Sequence, residues 1–414
     1  MAIVLYVIFA SDDEDSMRLL LIFIVFFSFS SSAENCETYT RSGLILAALQ
    51  CLEGDKGEWS EYERSILYSF VGMNDKSDTI INPSGEIAPN STKKQINHDI
   101  SAYEAVTTIV ELSKGRRVVM VNESHHQSFH RLFALDLARK LKSEGFTHFA
   151  MEGLSQSTAT QRQGYSTYSN PVAGIYTADP AFAYLINESI KLGYTLHSYE
   201  AYETKSIEER EEKQAENLKN ILDSNPEMKL LVYAGYSHIQ KKPSKNGIQW
   251  MANRFIKKTG IIPFTVDQVA GTYIEDKSQN DYVLDYIDKK FAFEAPAVFK
   301  MNNSNWLRPL NYQGDADIVV FHPFYKYSND RPSWIKANRH RIKIDKNIVG
   351  SKRPVLIRAV NLHHGRNAVP IDQFVAEAED IKDLFLPTGR YRLEVERDKK
   401  IIKLGQITVG GMQE

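Results

Sequence analysis

The sequence predicts an α/β fold with a largely parallel sheet and flanking helices, followed by a small antiparallel β domain at the carboxyl-terminal end. Short apolar runs recur between residues 117 and 266, and amphipathic stretches of helical length separate them. Strands that alternate with helices in this way form parallel sheets with right-handed crossovers. After about residue 335 the pattern changes to successive strands with turn residues between them, which predicts the antiparallel part.

Residues 34–98 are predicted to form a helical amino-terminal segment and a loop. An apolar run over residues 43–52 ends near Gly54, and a second helical pattern covers residues 59–70. Residues 72–98 are rich in Asn, Ser, Pro and Lys, a composition typical of loops. A further helix is predicted over residues 102–112.

The α/β domain is predicted to span residues 99–335. Apolar runs predict its strands at residues 117–121, 148–151, 195–199, 229–234 and 262–266, with a late strand at 317–321. Helical periodicity predicts helices at residues 129–144, 180–192, 207–222 and 248–258. The β-rich unit covers residues 336–414, where we expect a sandwich with strands at residues 341–344, 355–360, 391–396 and 401–409.

Residues 1–33 are predicted to be a signal peptide region. Arg18 supplies a positive charge, residues 19–27 are an unbroken apolar run, and the small residues up to Ala33 suit a cleavage site. Acidic residues at positions 12–15 fit this pattern poorly, so we expect the natural start to be Met17. The chain is therefore expected to be periplasmic or secreted, with membrane contact only through this segment. An uncleaved anchor is the alternative.

Two cysteines, Cys36 and Cys51, follow the predicted cleavage site, and export favours a disulfide between them. On one continuous helix these residues would lie roughly 22 Å apart, which is far beyond disulfide reach. A bridge therefore requires a break in the helix between them, near Ser42 and Gly43.

Composition and charge narrow the class of partner. The chain has 414 residues, of which 43% are hydrophobic and 25% are charged, and its formal net charge is -2. Such a chain is globular and carries no overall basic field, which argues against nucleic acid as a partner. We expect a small-molecule or peptide substrate instead.

Several predicted strands end in side chains that can carry acid–base chemistry. These are Glu123, His125 and His126 after residues 117–121, Glu152 after 148–151, Glu200 after 195–199, and His238 after 229–234. In parallel α/β sheets, ligands bind outside the carboxyl ends of the strands. The sequence therefore predicts one site that gathers these side chains.

A carboxylate beside an imidazole can orient it, so that the imidazole takes a proton from water. The same residue types can hold a divalent metal, and the predicted ligands in that case are Glu123, His125 and His238. Arg210, on the helix predicted over residues 207–222, is a candidate clamp for an anion, and Arg131 could also steady a developing oxyanion.

These motifs resemble those of the erythromycin esterase and ChaN-like superfamily, which also contains the Tiki-type proteases. The resemblance covers residues 100–275 and extends at most to 325. It rests on VMVNESHH at residues 119–126, FAMEG at 149–153, VYAGYSH at 232–238, and the helix that carries Arg210, Gln214 and Asn217. It implies an α/β sheet with the site at the strand ends.

The resemblance also implies functional roles for Glu123, Glu152 and His238. The esterase-type spacing selects His126 as the first-motif histidine, whereas the ChaN-type spacing selects His125. This sequence satisfies both spacings, so the choice between the two histidines stays open.

Two positions depart from the typical family motifs. Asn122 stands where the family has glycine, and Tyr236 stands where it has asparagine. Esterase-like members hydrolyse esters, Tiki-like members resemble metal-dependent proteases, and ChaN-like members bind haem. The resemblance therefore leaves the substrate open.

The first prediction is an exported hydrolase, in which His125 or His126 activates water against an ester or amide bond. Glu123 and Glu152 would orient that histidine or stabilise the charge that it gains, and His238 would complete the site. The alternative is an envelope protein that binds haem or a metal without catalysis. A third possibility, a scaffold that uses its β domain for adhesion, draws on the two departures from the family motifs.

Overall fold

The computed structural model describes residues 7–10, 17–20, 31–55, 57–81, 99–155, 157–168, 175–274, 280–302, 305–310, 312–328, 331–377 and 381–411. Most of the predicted signal peptide region, including residues 21–30, lies outside the described residues, as do residues 82–98 of the predicted loop. Within the described ranges, no helix combines the length and apolarity that a membrane span requires.

The amino-terminal part is helical after one short antiparallel strand pair. Its elements are β1 (Val7–Ala10), β2 (Met17–Leu20), α1 (Ser31–Arg41), α2 (Ile45–Glu53), α3 (Glu58–Phe70) and α4 (Asn74–Ile81). Between α1 and α2 the chain turns at Gly43, which has a φ of +73° and lies against the ring of Tyr168. This break brings Cys36 and Cys51 within 5.5 Å between Cα atoms, and the predicted disulfide is confirmed.

Helix α4 shows that the loop prediction was wrong for residues 74–81. Its composition is polar, and its buried side chains are Asn74, Ser77 and Asp78. Two of these residues, Asn74 and Asp78, are hydrogen-bonded to the segment at residues 126–127. Asn74 Nδ2 donates to the carbonyl of His126 at 3.3 Å, and Gln127 Nε2 donates to Asp78 Oδ1 at 2.6 Å.

The central part alternates strands and helices, as predicted. Its elements are β3 (Ile100–Glu104), α5 (Ala105–Leu112), β4 (Val118–Glu123), α6 (Phe129–Ser143), β5 (His148–Met151), α7 (Ser157–Gln163), α8 (Pro180–Lys191), β6 (Thr195–Ser198), α9 (Ile207–Asp223), β7 (Leu230–Gly235), α10 (Met251–Thr259), β8 (Phe264–Asp267), α11 (Tyr282–Phe291), β9 (Ala297–Met301), β10 (Asn305–Trp306) and β11 (Ile318–Val319).

Six of these strands form one parallel sheet in the order β11-β8-β4-β7-β5-β6. Along the chain, β5 is the next strand of this sheet after β4. In the sheet, however, β7 lies between them. Alternate residues of the central strands point to opposite faces. Val119 and Leu231 pack in the core that includes residues of α6 and α8, while Met120 and Val232 pack with residues of α9 and α10. Burial on both faces explains the continuous apolar runs in the sequence.

A second correction concerns residues 102–104, which were predicted as the start of a helix. They belong to β3, which pairs antiparallel with β9. The helix begins only at Ala105, because the Glu104 side chain accepts the amide hydrogens of Val106 and Thr107 and so caps it. The sequence analysis did not predict β9 or β10.

The carboxyl-terminal part consists of antiparallel strands, as predicted, with one short helix. Its elements are β12 (Tyr327–Ser328), β13 (Arg331–Pro332), β14 (His340–Ile342), α12 (Lys346–Val349), β15 (Val355–Asn361), β16 (Asp372–Ala376), β17 (Leu384–Leu386), β18 (Gly389–Arg397) and β19 (Lys400–Val409). Four of the strands form a sheet in the order β16-β15-β18-β19, and β14 pairs with β17. Strands β16 and β17 were not predicted.

The antiparallel sheet packs on the amino-terminal helices. Glu396 of β18 accepts the backbone hydrogens of Leu46 and Ala47 at 3.0 and 2.8 Å, at the first turn of α2. Arg358 of β15 donates to the carbonyl of Gly43 at 2.7 Å. Segments more than 300 residues apart in the chain therefore share one packed region.

Candidate functional site

The candidate site lies at the carboxyl ends of three adjacent strands. Glu123 is the last residue of β4, and its register partner Gly235 is the last residue of β7. Glu152 follows β5, and its backbone N–H donates to the carbonyl of Tyr233 on β7 at 2.9 Å. The parallel sheet thus places the ends of the three predicted motifs side by side.

Glu123 holds His125 in a fixed orientation. The two side chains meet at 2.7 Å between Glu123 Oε1 and His125 Nδ1. Glu123 Oε2 also accepts from Arg131 Nε at 2.8 Å and from the hydroxyl of Tyr233 at 2.6 Å. Arg131 is fully buried, and it also pairs with Asp179 and donates to the carbonyl of His125. This network fixes both the carboxylate and the backbone that carries the imidazole.

Glu123 is ionised at neutral pH. Burial alone would raise its pKa, but the guanidinium of Arg131 and the contacts with His125 lower the pKa to about 2. An ionised Glu123 accepts the Nδ1 hydrogen of His125, which leaves the lone pair on Nε2.

Nε2 of His125 lies against Gly235 and close to Glu152. A β-carbon at position 235 would sit 2.7 Å from His125 Nε2 and 3.3 Å from Glu152 Oε2. A glycine is therefore required at the end of β7, because a side chain there would clash with the His125 ring. The His125 ring is also stacked on Tyr176, with ring centroids 3.9 Å apart.

His238 forms a second carboxylate–imidazole pair. Its Nδ1 lies 2.8 Å from Oε1 of Glu211, a fully buried residue of α9. Its Nε2 lies 3.1 Å from Arg210 Nη1 and 3.6 Å from Glu152 Oε1. Burial alone would lower the pKa of His238, but the carboxylates of Glu211 and Glu152 raise it above its usual value.

Glu152 connects the two pairs. One of its oxygens accepts the backbone hydrogen of Gly235, and the other accepts from Arg210 Nη2 at 2.8 Å. Burial alone would raise the pKa of Glu152, but the nearby charges of His238, Arg210 and His125 lower it to about 2. A fixed negative charge therefore lies between the two histidines.

The two arginines predicted to steady an anion are both paired with carboxylates. Arg210 donates to both oxygens of Glu200 at 3.1 and 2.8 Å, in addition to its bond with Glu152. Arg131 is enclosed between Glu123 and Asp179. Five carboxylates and two guanidinium groups make up this network, so it carries excess negative charge. Either arginine would have to leave a carboxylate before it could bind an anion.

His126 and the nearby His130 contact other partners. Nδ1 of His126 lies 2.9 Å from the hydroxyl of Ser124, and its Nε2 lies 3.3 Å from Asp78 of α4. His130 accepts the backbone hydrogen of Ser124 at 3.0 Å and contacts Thr272. Burial, together with the charges of His322, His126 and Arg131, holds the pKa of His130 well below its usual value. The structure therefore places His125, not His126, against Glu123.

Sequence reasoning missed Glu211 and the tyrosines around His125. Ile207, Leu218 and Leu222 form the buried stripe of α9, and Glu211 falls within it at helical spacing. The sequence signal that could have identified Glu211 was a carboxylate at a position of the apolar stripe. Tyr62 and Tyr176 come from distant segments, and no local pattern links them to the strand ends.

The predicted metal ligands do not form a binding set. Among the described residues, no group of three or more His, Cys, Asp or Glu side chains is arranged to hold a metal ion. Glu123 and His238 instead belong to separate carboxylate–imidazole pairs.

No family model matches the sequence, and no curated protein matches it. Several solved structures of bacterial proteins show a distant similarity. The type III effector HopBA1 has a TM-score of 0.32 and 13% identity, covering 48% of this chain and 96% of its own. The C-terminal region of Pasteurella multocida toxin has a TM-score of 0.29 and 15% identity, covering 53% and 35%.

RRSP, a MARTX toxin effector domain from Vibrio vulnificus CMCP6, has a TM-score of 0.31 and 13% identity, covering 63% of this chain and 59% of its own. The chain thus spans less than two thirds of the Pasteurella and Vibrio structures. Similarity at this level indicates neither family nor activity.

Proposed function

We propose that the protein is an exported hydrolase, in which His125 activates water against an ester or amide bond of a small molecule or peptide. The observation that carries this proposal is the 2.7 Å contact between Glu123 Oε1 and His125 Nδ1. It leaves the basic nitrogen of His125 beside Gly235 at the strand ends. The resemblance to the erythromycin esterase and ChaN-like group supports the same reading, and the disulfide is consistent with export.

In the proposed reaction, the oxygen of water bonds to the carbonyl carbon while Nε2 of His125 takes the proton. Glu123 stabilises the imidazolium that forms, since the carboxylate already contacts Nδ1. The intermediate then breaks its bond to the leaving alcohol or amine, which receives that proton from His125. His238, whose pKa is raised, is protonated more readily, and its positive charge then favours the developing oxyanion.

The experiment is a screen of ester and amide substrates with purified protein, followed by the variant His125→Gln. We expect this variant to lose 10²–10⁴-fold in kcat, a typical range for a general base. His364→Gln, in the antiparallel part, is the matched control and should keep wild-type turnover. Circular dichroism would confirm that both variants fold. Undiminished turnover in His125→Gln would remove the proposal.

A further inference from the structure

A cavity between α4 and the first residue of α6 has aromatic walls, and the proposed function does not use it. Among the side chains that line it are five aromatic ones, Phe129, Tyr273, Phe324, Tyr325 and Trp334. The rings of Phe129 and Tyr325 have centroids 4.8 Å apart and are inclined at 56°, and those of Tyr273 and Phe324 are 6.2 Å apart at 82°. Such walls suit a small organic cation, because aromatic rings attract a positive charge that lies over their faces.

The size of this cavity suits the end group of a ligand rather than a whole ring system. Its volume is about 30 Å³, whereas a single water molecule needs roughly 10–15 Å³. The cavity is partly open to solvent, so a chain attached to the bound group can lead outward. A small ammonium group matches this space.

The polar side of the cavity consists of Asn74, Asp78 and Gln127, which are 6%, 7% and 3% exposed. Gln127 Nε2 donates to Asp78 Oδ1 at 2.6 Å, and Asn74 Nδ2 donates to the carbonyl of His126 at 3.3 Å. A carboxylate and a carbonyl only accept, so these partners fix which end of each amide is the oxygen. Within the described residues, the remaining side-chain oxygens accept no hydrogen bond, namely Asn74 Oδ1, Asp78 Oδ2 and Gln127 Oε1. Three buried side chains therefore carry acceptors that lack donors.

Asp78 also brings a negative charge that no permanently positive side chain balances. Its one ion-pair contact within the described part of the chain is with His126, whose Nε2 lies 3.3 Å from Asp78 Oδ1 and which is charged only when protonated. No lysine or arginine of that part of the chain pairs with Asp78. A buried carboxylate is costly unless a cation or hydrogen-bond donors compensate it. A bound cation would supply that compensation.

We propose that this cavity binds a primary ammonium group, either of a free amine or of a lysine side chain. An ammonium group has three hydrogens to donate, and the unpaired oxygens of Asn74, Asp78 and Gln127 are the acceptors for them. Asp78 balances its charge, and the aromatic side chains contact the carbon that follows the nitrogen. A quaternary ammonium group has no hydrogen to donate, so it cannot replace the primary one. This binding site does not depend on the proposed hydrolysis.

The test is a titration of ¹⁵N-labelled protein with methylammonium chloride, followed by nuclear magnetic resonance at the indole N–H of Trp334. That resonance is assigned by its loss in Trp334→Phe. We expect methylammonium to shift it in a saturable way, and tetramethylammonium at the same concentration and ionic strength to leave it in place. The absence of a saturable shift, or an equal response to tetramethylammonium, would overturn the proposal.

A second titration distinguishes the two sources of the ammonium group. Nα-acetyl-lysine amide carries the same group at the end of a longer chain. Saturation at a lower concentration than methylammonium requires would identify a lysine side chain as the ligand. Saturation by methylammonium alone would identify a free amine.

Variants test the residues that carry the proposal. Asp78→Asn should weaken methylammonium binding about tenfold or more, because the charge is lost while the shape of the side chain is kept. Asp75→Asn is the matched control, since it removes a carboxylate from an exposed position of the same helix and should bind like the wild-type protein. Unchanged affinity in folded Asp78→Asn, or an equal loss in Asp75→Asn, would refute the site.

A change in the aromatic wall keeps the test decisive if Asp78→Asn does not fold, which circular dichroism would show. Phe324→Leu alters a half-buried wall position and should also weaken methylammonium binding, because it removes one aromatic ring from the cavity. Wild-type affinity in folded Phe324→Leu would then contradict the proposal.

Discussion

His125 and His126 are adjacent in the chain, but their side chains meet different partners. His125 contacts Glu123 and lies beside Glu152, whereas His126 contacts Ser124 and Asp78. No sequence spacing distinguishes the two, because either residue satisfies a known motif. The distinction comes from α4, a polar helix that sequence composition predicts as a loop. Residue identity alone therefore gives the candidates, and the packing decides their surroundings.

Asn122, which stands where the family that the sequence resembles has glycine, makes several hydrogen bonds. Its side chain donates to the carbonyl of Tyr236 at 2.9 Å and to Asp267 at 3.0 Å. Its own oxygen accepts the backbone hydrogen of Gln268 at 2.8 Å. A glycine would make none of these bonds, so asparagine ties β4 to the chain segments that follow β7 and β8.

A residue-scale prediction concerns Glu211 and the charge of His238. Glu211→Gln removes the negative charge but retains an oxygen that can accept from Nδ1. We expect the pKa of His238 to fall, because the carboxylate of Glu211 at contact distance stabilises the imidazolium. Titration of the His238 ring by nuclear magnetic resonance measures the shift. An unchanged pKa would show that Glu211 does not hold the proton on His238.

At the scale of elements, periodicity predicted most of the parallel sheet. The strand predicted over residues 148–151 coincides with β5, because both faces of the central strands are buried and their sequences are continuously apolar. The late strand predicted over residues 317–321 joins the same sheet as β11. Strand β3 was missed because residues 100–104 owe their conformation to pairing with the distant β9. Pairing partners far along the chain leave no local periodic signal.

An element-scale prediction concerns the disulfide that joins α1 and α2. Replacing Cys36 and Cys51 with serine should lower the free energy of unfolding by about 3 kcal/mol, the expected value for a loop of 15 residues. Urea unfolding of the double variant beside the wild-type protein measures the loss. Reduced wild-type protein should match the variant. Equal stability of oxidised and reduced protein would contradict the prediction.

For the whole molecule, some groups have a lowered pKa in the folded protein and others a raised one, and the two kinds predict opposite trends of stability with pH. Glu123 and Glu152 have pKa values near 2, so their contribution is present above pH 4.5 and is lost as pH falls toward 2. Burial, with repulsion from Glu37, raises the pKa of Glu63 to about 7, so its contribution is lost as pH rises from 4.5 to 7. The pKa of His238 is also raised, so its contribution to stability is likewise lost as pH rises. These groups together predict maximum stability at mildly acidic pH.

Glu63→Gln tests the alkaline side of this profile. The variant should gain on the order of 3 kcal/mol over the wild-type protein at pH 8, because an ionised carboxylate no longer has to be buried. At pH 4 the two proteins should be nearly equal, since Glu63 is then protonated in both folded and unfolded chains. Denaturant unfolding at both pH values measures the difference. A gain of equal size at pH 4 would show that ionisation is not its cause.

The position of β7 between β4 and β5 constrains when the molecule can acquire activity. A ribosome delivers residues 118–152, with Glu123, His125 and Glu152, well before β7 (Leu230–Gly235) and His238. The gap between the first two strands cannot close until the third has emerged and inserted. A nascent chain therefore holds half of the proposed machinery in a separated state. The proposed hydrolysis would begin only once the sheet is complete.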